Sequence, residues 1–337
     1  SSEQLKAAED EHIRKVVKLQ EDVGLQSITD GEFRRDWWHI DFLHGFDGVE
    51  LTQPQYAKGA EFKNTDEQPP FMVLSGKIRR TKPSMLEHFK FLKSVVTKGV
   101  PKFTMPSPAM LHARADRASL EKVYPEVDEL WADLTKAYRE EIADLYQAGC
   151  RYLQIDDTTI AMWGDPKVQE HFRKLGDDPA KDAAMYADAV NAAIREVPED
   201  MTVAIHTCRG NFKSTWLASG AYADFVAERV FTGLDVDAFF LEYDTERAGG
   251  FEPLRFVPKG GRVVLGLVST KTPILEEKDF LRRRIDEAAR FVPLEDLSIS
   301  PQCGFASHQK GTALAFADQE AKLRLVVETA REVWGSA

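Results

Sequence analysis

Short apolar runs rich in β-branched residues recur along the chain between long amphipathic stretches, at residues 25–28, 103–105, 152–155, 202–205, 238–241, 263–268 and 297–299. Each is nearly continuous in apolar residues rather than alternating, which is the pattern of a parallel strand covered on both faces. Between them, helical spacing predicts helices over residues 131–148, 179–195, 222–230, 278–291 and 319–333, and an amphipathic, charge-rich helix runs from about Ser2 to Val23. Seven strands alternating with helices predict an α/β protein of (β/α)8 TIM-barrel type. A leading helix should be fed by a strand, so the first barrel strand is expected upstream of residue 1. The doubly wound sheet is the rival, but no Gly-x-Gly-x-x-Gly follows any of the runs. Residues 51–70 are polar and rich in Pro and Gln, and 71–78 turn apolar again. The stretch 51–80 therefore reads as a hairpin or lid inserted into one domain spanning residues 1–337.

Composition narrows the class. The net charge of -11 over 337 residues comes without a Lys/Arg block, which argues against a nucleic-acid partner. No apolar stretch approaches the roughly 20 residues of a membrane span. Three cysteines, at 150, 208 and 303, are too few and too scattered for a disulfide framework, and no secretory signal is visible, so the expected location is the cytoplasm.

In a barrel the active face is formed by the C-terminal ends of the strands, and chemistry-bearing residues collect there. Glu32 follows the first run, Asp156 and Asp157 the third, and His206 and Cys208 the fourth; Glu242 ends the fifth and Cys303 follows the last. His206-Thr207-Cys208 puts two side chains on the same side of the chain, as chelation requires. A core cysteine with a satisfied histidine is the competing reading, and Cys303 alone is as well explained by packing. Together, two thiols and an imidazole suit Zn²⁺, with Glu242 as candidate fourth ligand. A thiolate-rich zinc keeps a bound thiol ionised yet nucleophilic, the chemistry of thiol alkylation. Cys150 precedes a strand, on the opposite rim, and is assigned to packing. Asp157 before Thr158-Thr159 suits a helix cap. Asp156 and Glu32 suit a substrate ammonium group, with helix capping as the alternative for such carboxylates, and Arg35 suits a carboxylate. Trp37, Trp38, His39, Phe42 and Phe46 form either a packed loop or a stacking wall, packing being the more common use.

At these residues the chain resembles the cobalamin-independent methionine synthase family, in its catalytic C-terminal barrel and the stand-alone single-barrel proteins similar to it. The resemblance is carried in order by Thr29-Asp30-Gly31-Glu32-Phe33-Arg34-Arg35, Gln154-Ile155-Asp156-Asp157, Ile205-His206-Thr207-Cys208, Phe240-Leu241-Glu242-Tyr243-Asp244 and Ser300-Pro301-Gln302-Cys303-Gly304. It implies a zinc site of His206, Cys208, Glu242 and Cys303 that activates a homocysteine-like thiol, with Asp156 and Glu32 holding the amino group. It implies 5-methyltetrahydrofolate, in polyglutamylated form, as methyl donor, whose amine leaving group must be protonated.

Three departures bear on the donor. The duplicated N-terminal barrel of full-length synthases is absent from the chain. Where the synthases resemble Asp-x-His-Ser-Pro, with His as proton donor, this chain has Ser269-Thr270-Lys271-Thr272-Pro273, which leaves Lys271 as the candidate acid, with an unperturbed pKa of roughly 10.4. Met105-Pro106-Ser107-Pro108 carries no Trp where the synthases place a folate-stacking ring. The expectation is therefore a zinc-dependent methyltransferase to a thiol, homocysteine first, with folate or another donor. An epoxide-to-thiol type alkyl transferase and a zinc-dependent lyase or hydrolase are the alternatives, and the oligomeric state is not legible.

Overall fold

The first helix, Ser2–Val23, begins where the Ser1 hydroxyl accepts the Gln4 amide and ends at Gly24, whose φ of 94° lets its N–H reach back to the Gln20 and Glu21 carbonyls. In this computed structural model, residues 1–52, 70–174, 176–306 and 311–336 are described. After the helix come β1 (Ser27–Ile28), then β2 (Asp47–Thr52) and β3 (Phe71–Arg79), which pair antiparallel. The pair begins at residue 47 and ends at 79, overlapping the stretch 51–80 read as an inserted hairpin or lid, of which residues 53–69 lie outside the described residues.

The remaining strands are β4 (Val100–Pro101), β5 (Phe103–Pro106), β6 (Tyr152–Asp157), β7 (Thr202–Thr207), β8 (Ala238–Glu242), β9 (Arg262–Val268) and β10 (Leu297–Pro301). All pair in parallel: β5 to β10 form one sheet in sequence order, and β4, separated from β5 by Lys102 alone, pairs with β1. Strands β5 and β9 are almost wholly buried, which explains their unbroken apolar runs. The helical layer follows the same order. Val127–Gln147 packs on Pro179–Ile194, that helix on Asp224–Gly233, and Lys278–Ala288 on Phe316–Trp334. The last helix then packs on the first, Ser2–Val23.

Between β10 and β1 no strand among the described residues is hydrogen-bonded. A cavity of about 1740 Å³ reaches into that seam past Gln20, Ser27, Ser298 and Val326, and opens upward to the strand ends at Asp156, His206 and Cys303.

Candidate metal and thiol site

Parallel register brings the site together. Asp156 at the end of β6 lies opposite His206 on β7, and Glu242 on β8 lies opposite Gly266 on β9, which in turn faces Ser300 on β10. Gly266 has to be small: a Cβ there would sit 2.8 Å from Gln302 Cα and 2.9 Å from the Leu241 carbonyl oxygen. The turn carrying Cys303 is tied down by Gln302, whose Oε1 accepts the Thr270 amide at 2.6 Å and its hydroxyl at 2.7 Å, while Asn211 donates to the Thr270 hydroxyl and to the Gly304 carbonyl.

The result is a cluster in which ligand atoms of His206, Cys208 and Cys303 all lie within 4.8 Å of one another, the two sulfurs 3.8 Å apart. Cys303 donates to Cys208, which holds the Cys208 thiol well below its ordinary value and drives Cys303 up. Burial pushes His206 down, but the neighbouring Cys208 outweighs it and the imidazole is raised overall. His206 Nε2 is buried and finds no hydrogen-bond partner. A buried imidazole nitrogen without a partner, beside two thiols that share charge, fits a soft cation such as Zn²⁺.

Glu242 stands beside this trio rather than within it. It is fully buried, and its Oε1 accepts from Arg247 at 2.6 Å and from Lys271 at 3.1 Å, while Oε2 accepts the Arg209 backbone amide. Burial would raise this carboxyl, but Lys271, Arg247 and Arg209 overcome it and hold it at about 2. Asp244 joins the group, 3.4 Å from Arg247 and 3.7 Å from Lys271, and accepts the Ser269 hydroxyl. Lys271 lies three residues beyond β9, with its ammonium committed to two carboxylates.

Across the cavity, Glu32 Oε1 accepts the Thr104 hydroxyl at 2.6 Å and lies 3.3 Å from Arg35. The Arg35 guanidinium donates to the Thr104 and Trp38 carbonyls, so its first partners are internal. Glu32 holds a φ of 57°, left-handed for a residue with a side chain, and an Asp30 carboxylate caps its amide at 2.9 Å. Asp156 is raised to about 6, by burial first and then by Glu32, against the pull of His206. Two carboxylates thus line one cavity, with Asp156 the one reluctant to ionise.

Residues 1–332 match the family described as cobalamin-independent synthase, catalytic domain. The chain belongs to this family. Two uncharacterized Bacillus subtilis proteins, YxjH and YxjG, are each 45% identical to it over 99% of this chain and 88% of their own. A 5-methyltetrahydropteroyltriglutamate–homocysteine methyltransferase of Bacillus licheniformis is 22% identical over 99% of this chain and 39% of its own length. The solved structure of a Listeria monocytogenes protein, provisionally titled a vitamin-B12 independent methionine synthase, superposes with a TM-score of 0.75 at 38% identity, covering 98% of this chain and 88% of that one. A B12-independent methionine synthase of Shewanella sp. W3-18-1 shares the fold, with a TM-score of 0.73 at 20% identity over 99% of this chain and 89% of its own.

In this cobalamin-independent synthase domain the other candidates divide cleanly. Asp157, one residue before the N-cap position Thr158 of the short helix Thr159–Met162, accepts the Thr159 and Ile160 amides. Cys150 is buried with its thiol pushed up to about 11 by that burial. Phe42 and Phe46 pack on Tyr138 in the core, whereas Trp37 stacks on Phe212 with rings 5.5 Å apart and lines the cavity. Sequence reasoning passed over Arg209, Arg247 and Lys102. Arg209 directly follows Cys208 and was visible as a cation next to a candidate ligand; Arg247 sits in a turn whose path no periodicity reveals. Lys102 lies between β4 and β5 and lines the cavity, its ammonium 4.0 Å from the Phe240 ring centre, and burial pushes it down to about 8.

Proposed function

We propose that the chain is a zinc-dependent methyltransferase that alkylates a thiol, with homocysteine as acceptor and a methylated folate or a related compound as donor. The observation that carries this reading is the convergence of His206, Cys208 and Cys303 at one end of a cavity that also holds the Glu32–Asp156 pair. When bound, zinc would supply the positive charge that keeps an acceptor thiol ionised near neutral pH. His206, Cys208 and Cys303 would hold it, with Glu242 as the candidate fourth donor, released from part of its cation shell.

The chain's own residues then do the positioning. Asp156 and Glu32 take the acceptor's ammonium group and fix the direction of its sulfur, Arg35 keeps Glu32 in place, and the buried walls exclude water. Lys271, held against Glu242 and Asp244, is the candidate proton source for an amine leaving group. The names of the methyltransferases and synthases matched above support the acceptor and the donor class.

Support for a single (β/α)8 barrel of residues 1–337 comes from the seven strand positions in sequence order, the helical ring closing between first and last helices, and site residues confined to strand ends. The seam between β10 and β1 is where an eighth strand would lie. A site built on two reduced thiols suits the cytoplasm.

The test is zinc content and homocysteine binding. One tightly held zinc per chain, lost in Cys208→Ser and Cys303→Ser, with proton release on adding homocysteine, is the expected result. A protein that takes up no zinc and is indifferent to both substitutions overturns the reading.

A further inference from the structure

Arg114 ends the short helix Ala109–Arg114 and lines the same cavity as Cys208, Cys303 and Asp156. Among the described residues no carboxylate lies within ion-pair distance of it. Its only side-chain hydrogen bonds to described residues are weak, from Nη2 to the Thr158 hydroxyl at 3.3 Å and to Met162 Sδ at 3.5 Å. The contrast with Arg209, Arg247 and Lys271 is sharp, because those three cations are spent on Glu242 and Asp244. Next to Arg114 stands His39, which is 8% exposed, lines the cavity, and has a buried Nδ1 without a partner. Burial and the Arg114 charge push His39 down to about 3, so the imidazole beside the guanidinium is neutral and adds no competing charge. Burial likewise lowers Arg114, against the pull of Asp157, Tyr186 and Cys208.

An unpaired guanidinium in a partly desolvated wall is expensive unless an anion completes it, and its planar fork matches a carboxylate. We propose that Arg114 is a carboxylate-binding residue of the thiol site, receiving the carboxylate of a molecule seated beside Cys208. The inference rests on the thiol-transfer reading for the identity of that molecule, which is either the amino-acid thiol or the compound that alkylates it. With the ammonium at Asp156 and the sulfur at the cysteines, a carboxylate at Arg114 would give the amino-acid thiol a third point of attachment.

Two measurements separate the sources, calorimetry on the zinc-loaded protein and alkylation on the metal-free protein, in which the Cys208 sulfur is not a metal ligand. The first compares calorimetric dissociation constants of homocysteine and 3-aminopropanethiol, the same thiol without its carboxylate. The second compares the rates at which iodoacetate and iodoacetamide alkylate Cys208, followed by peptide mass spectrometry. In both reactions the Cys208 sulfur attacks the methylene carbon, an S–C bond forms, and the C–I pair leaves as iodide, so only the reagent's charge differs.

If the carboxylate belongs to the thiol, Arg114→Gln weakens homocysteine about tenfold and leaves 3-aminopropanethiol unchanged, the size of one lost charge-assisted pair. If it arrives with the alkylating compound, both thiols bind as before and the iodoacetate-to-iodoacetamide rate ratio falls about tenfold. Arg114→Lys, which keeps the charge, should fall between, and an unchanged iodoacetamide rate certifies that the variants are folded. Unchanged thiol affinities together with an unchanged rate ratio overturn the proposal. Should the native protein bind neither zinc nor thiol, the transferase reading fails on its own, and the rate ratio still decides the role of Arg114.

Discussion

Lys271 Nζ lies 3.1 Å from Glu242 Oε1, the same oxygen to which Arg247 donates across 2.6 Å. Around Glu242 and Asp244 three cations, Arg209, Arg247 and Lys271, face two carboxylates, all buried but Arg247, which is partly exposed. Removing one member of such a group costs most when it leaves charge unbalanced. Lys271→Met leaves two cations against two carboxylates and should cost about 1 kcal/mol, near the net worth of one hydrogen bond. Glu242→Gln leaves three cations against one and should cost about 3–5 kcal/mol. Urea denaturation of both variants checks the order; equal losses would mean that Glu242 is not the electrostatic hub of the site.

The approach of β8 and β10 across Gly266 makes a second prediction. A methyl at this position meets the Gln302 and Leu241 backbones at 2.8 and 2.9 Å, and neither can swing away as a side chain would. Gly266→Ala should therefore destabilise the fold by about 1–3 kcal/mol and displace the turn that carries Cys303. Zinc affinity should fall with stability, measured by competition with a chromogenic chelator. Full affinity in the variant would show that Cys303 is positioned by Thr270 and Gln302 alone.

Strand positions were legible because parallel strands buried on both faces leave continuous apolar runs, and each of the seven runs has its strand. Element ends were less so. The helix expected at 278–291 ends at Ala288, because the chain turns through Ala289–Phe291 with Phe291 exposed; the helix expected from 131 starts at Val127, led in by an extended Glu126. Within the site, His206, Cys208 and Cys303 could be read because two-residue spacing and strand ends are local features. The cation shell of Glu242 could not, since Arg209, Arg247 and Lys271 reach it from three different strand ends. For the same reason Arg114, on a helix that sequence periodicity did not reveal, left no trace in the pattern.

Cys150 provides the contrast to the two site cysteines. Its thiol is buried, makes one long contact to the Tyr152 carbonyl at 3.5 Å, and lies outside the cavity lining. Cys150→Ala should cost about 1 kcal/mol as a small cavity and leave zinc stoichiometry untouched. Elemental analysis beside thermal denaturation distinguishes this from Cys208→Ser, for which the expected outcome is loss of the metal. Zinc loss in Cys150→Ala would place a ligand on the wrong rim and break the argument from strand ends.

Asp182, in the first turn of Pro179–Ile194, gives a pH dependence that is independent of any metal. Its carboxyl is pushed up to about 6, by burial first and then by Asp177, while Arg117 pulls it down only in part because both arms of its guanidinium are bound to Asp177. Asp182 Oδ2 has no partner. In the unfolded chain the group should titrate near 3.9. Between about pH 4 and 6 the folded state therefore holds a proton that the unfolded state has released, and folding stability falls as pH rises through this window. Above it the whole cost of a buried, poorly paired carboxylate is present. Asp182→Asn removes that cost, so the variant should match the native protein near pH 4 and exceed it by about 1–3 kcal/mol at pH 8. Urea midpoints at pH 4, 6 and 8 test this. A difference that does not change with pH would mean the carboxylate is solvated in the fold, and that Arg117 or water meets the oxygen that stands without a partner here.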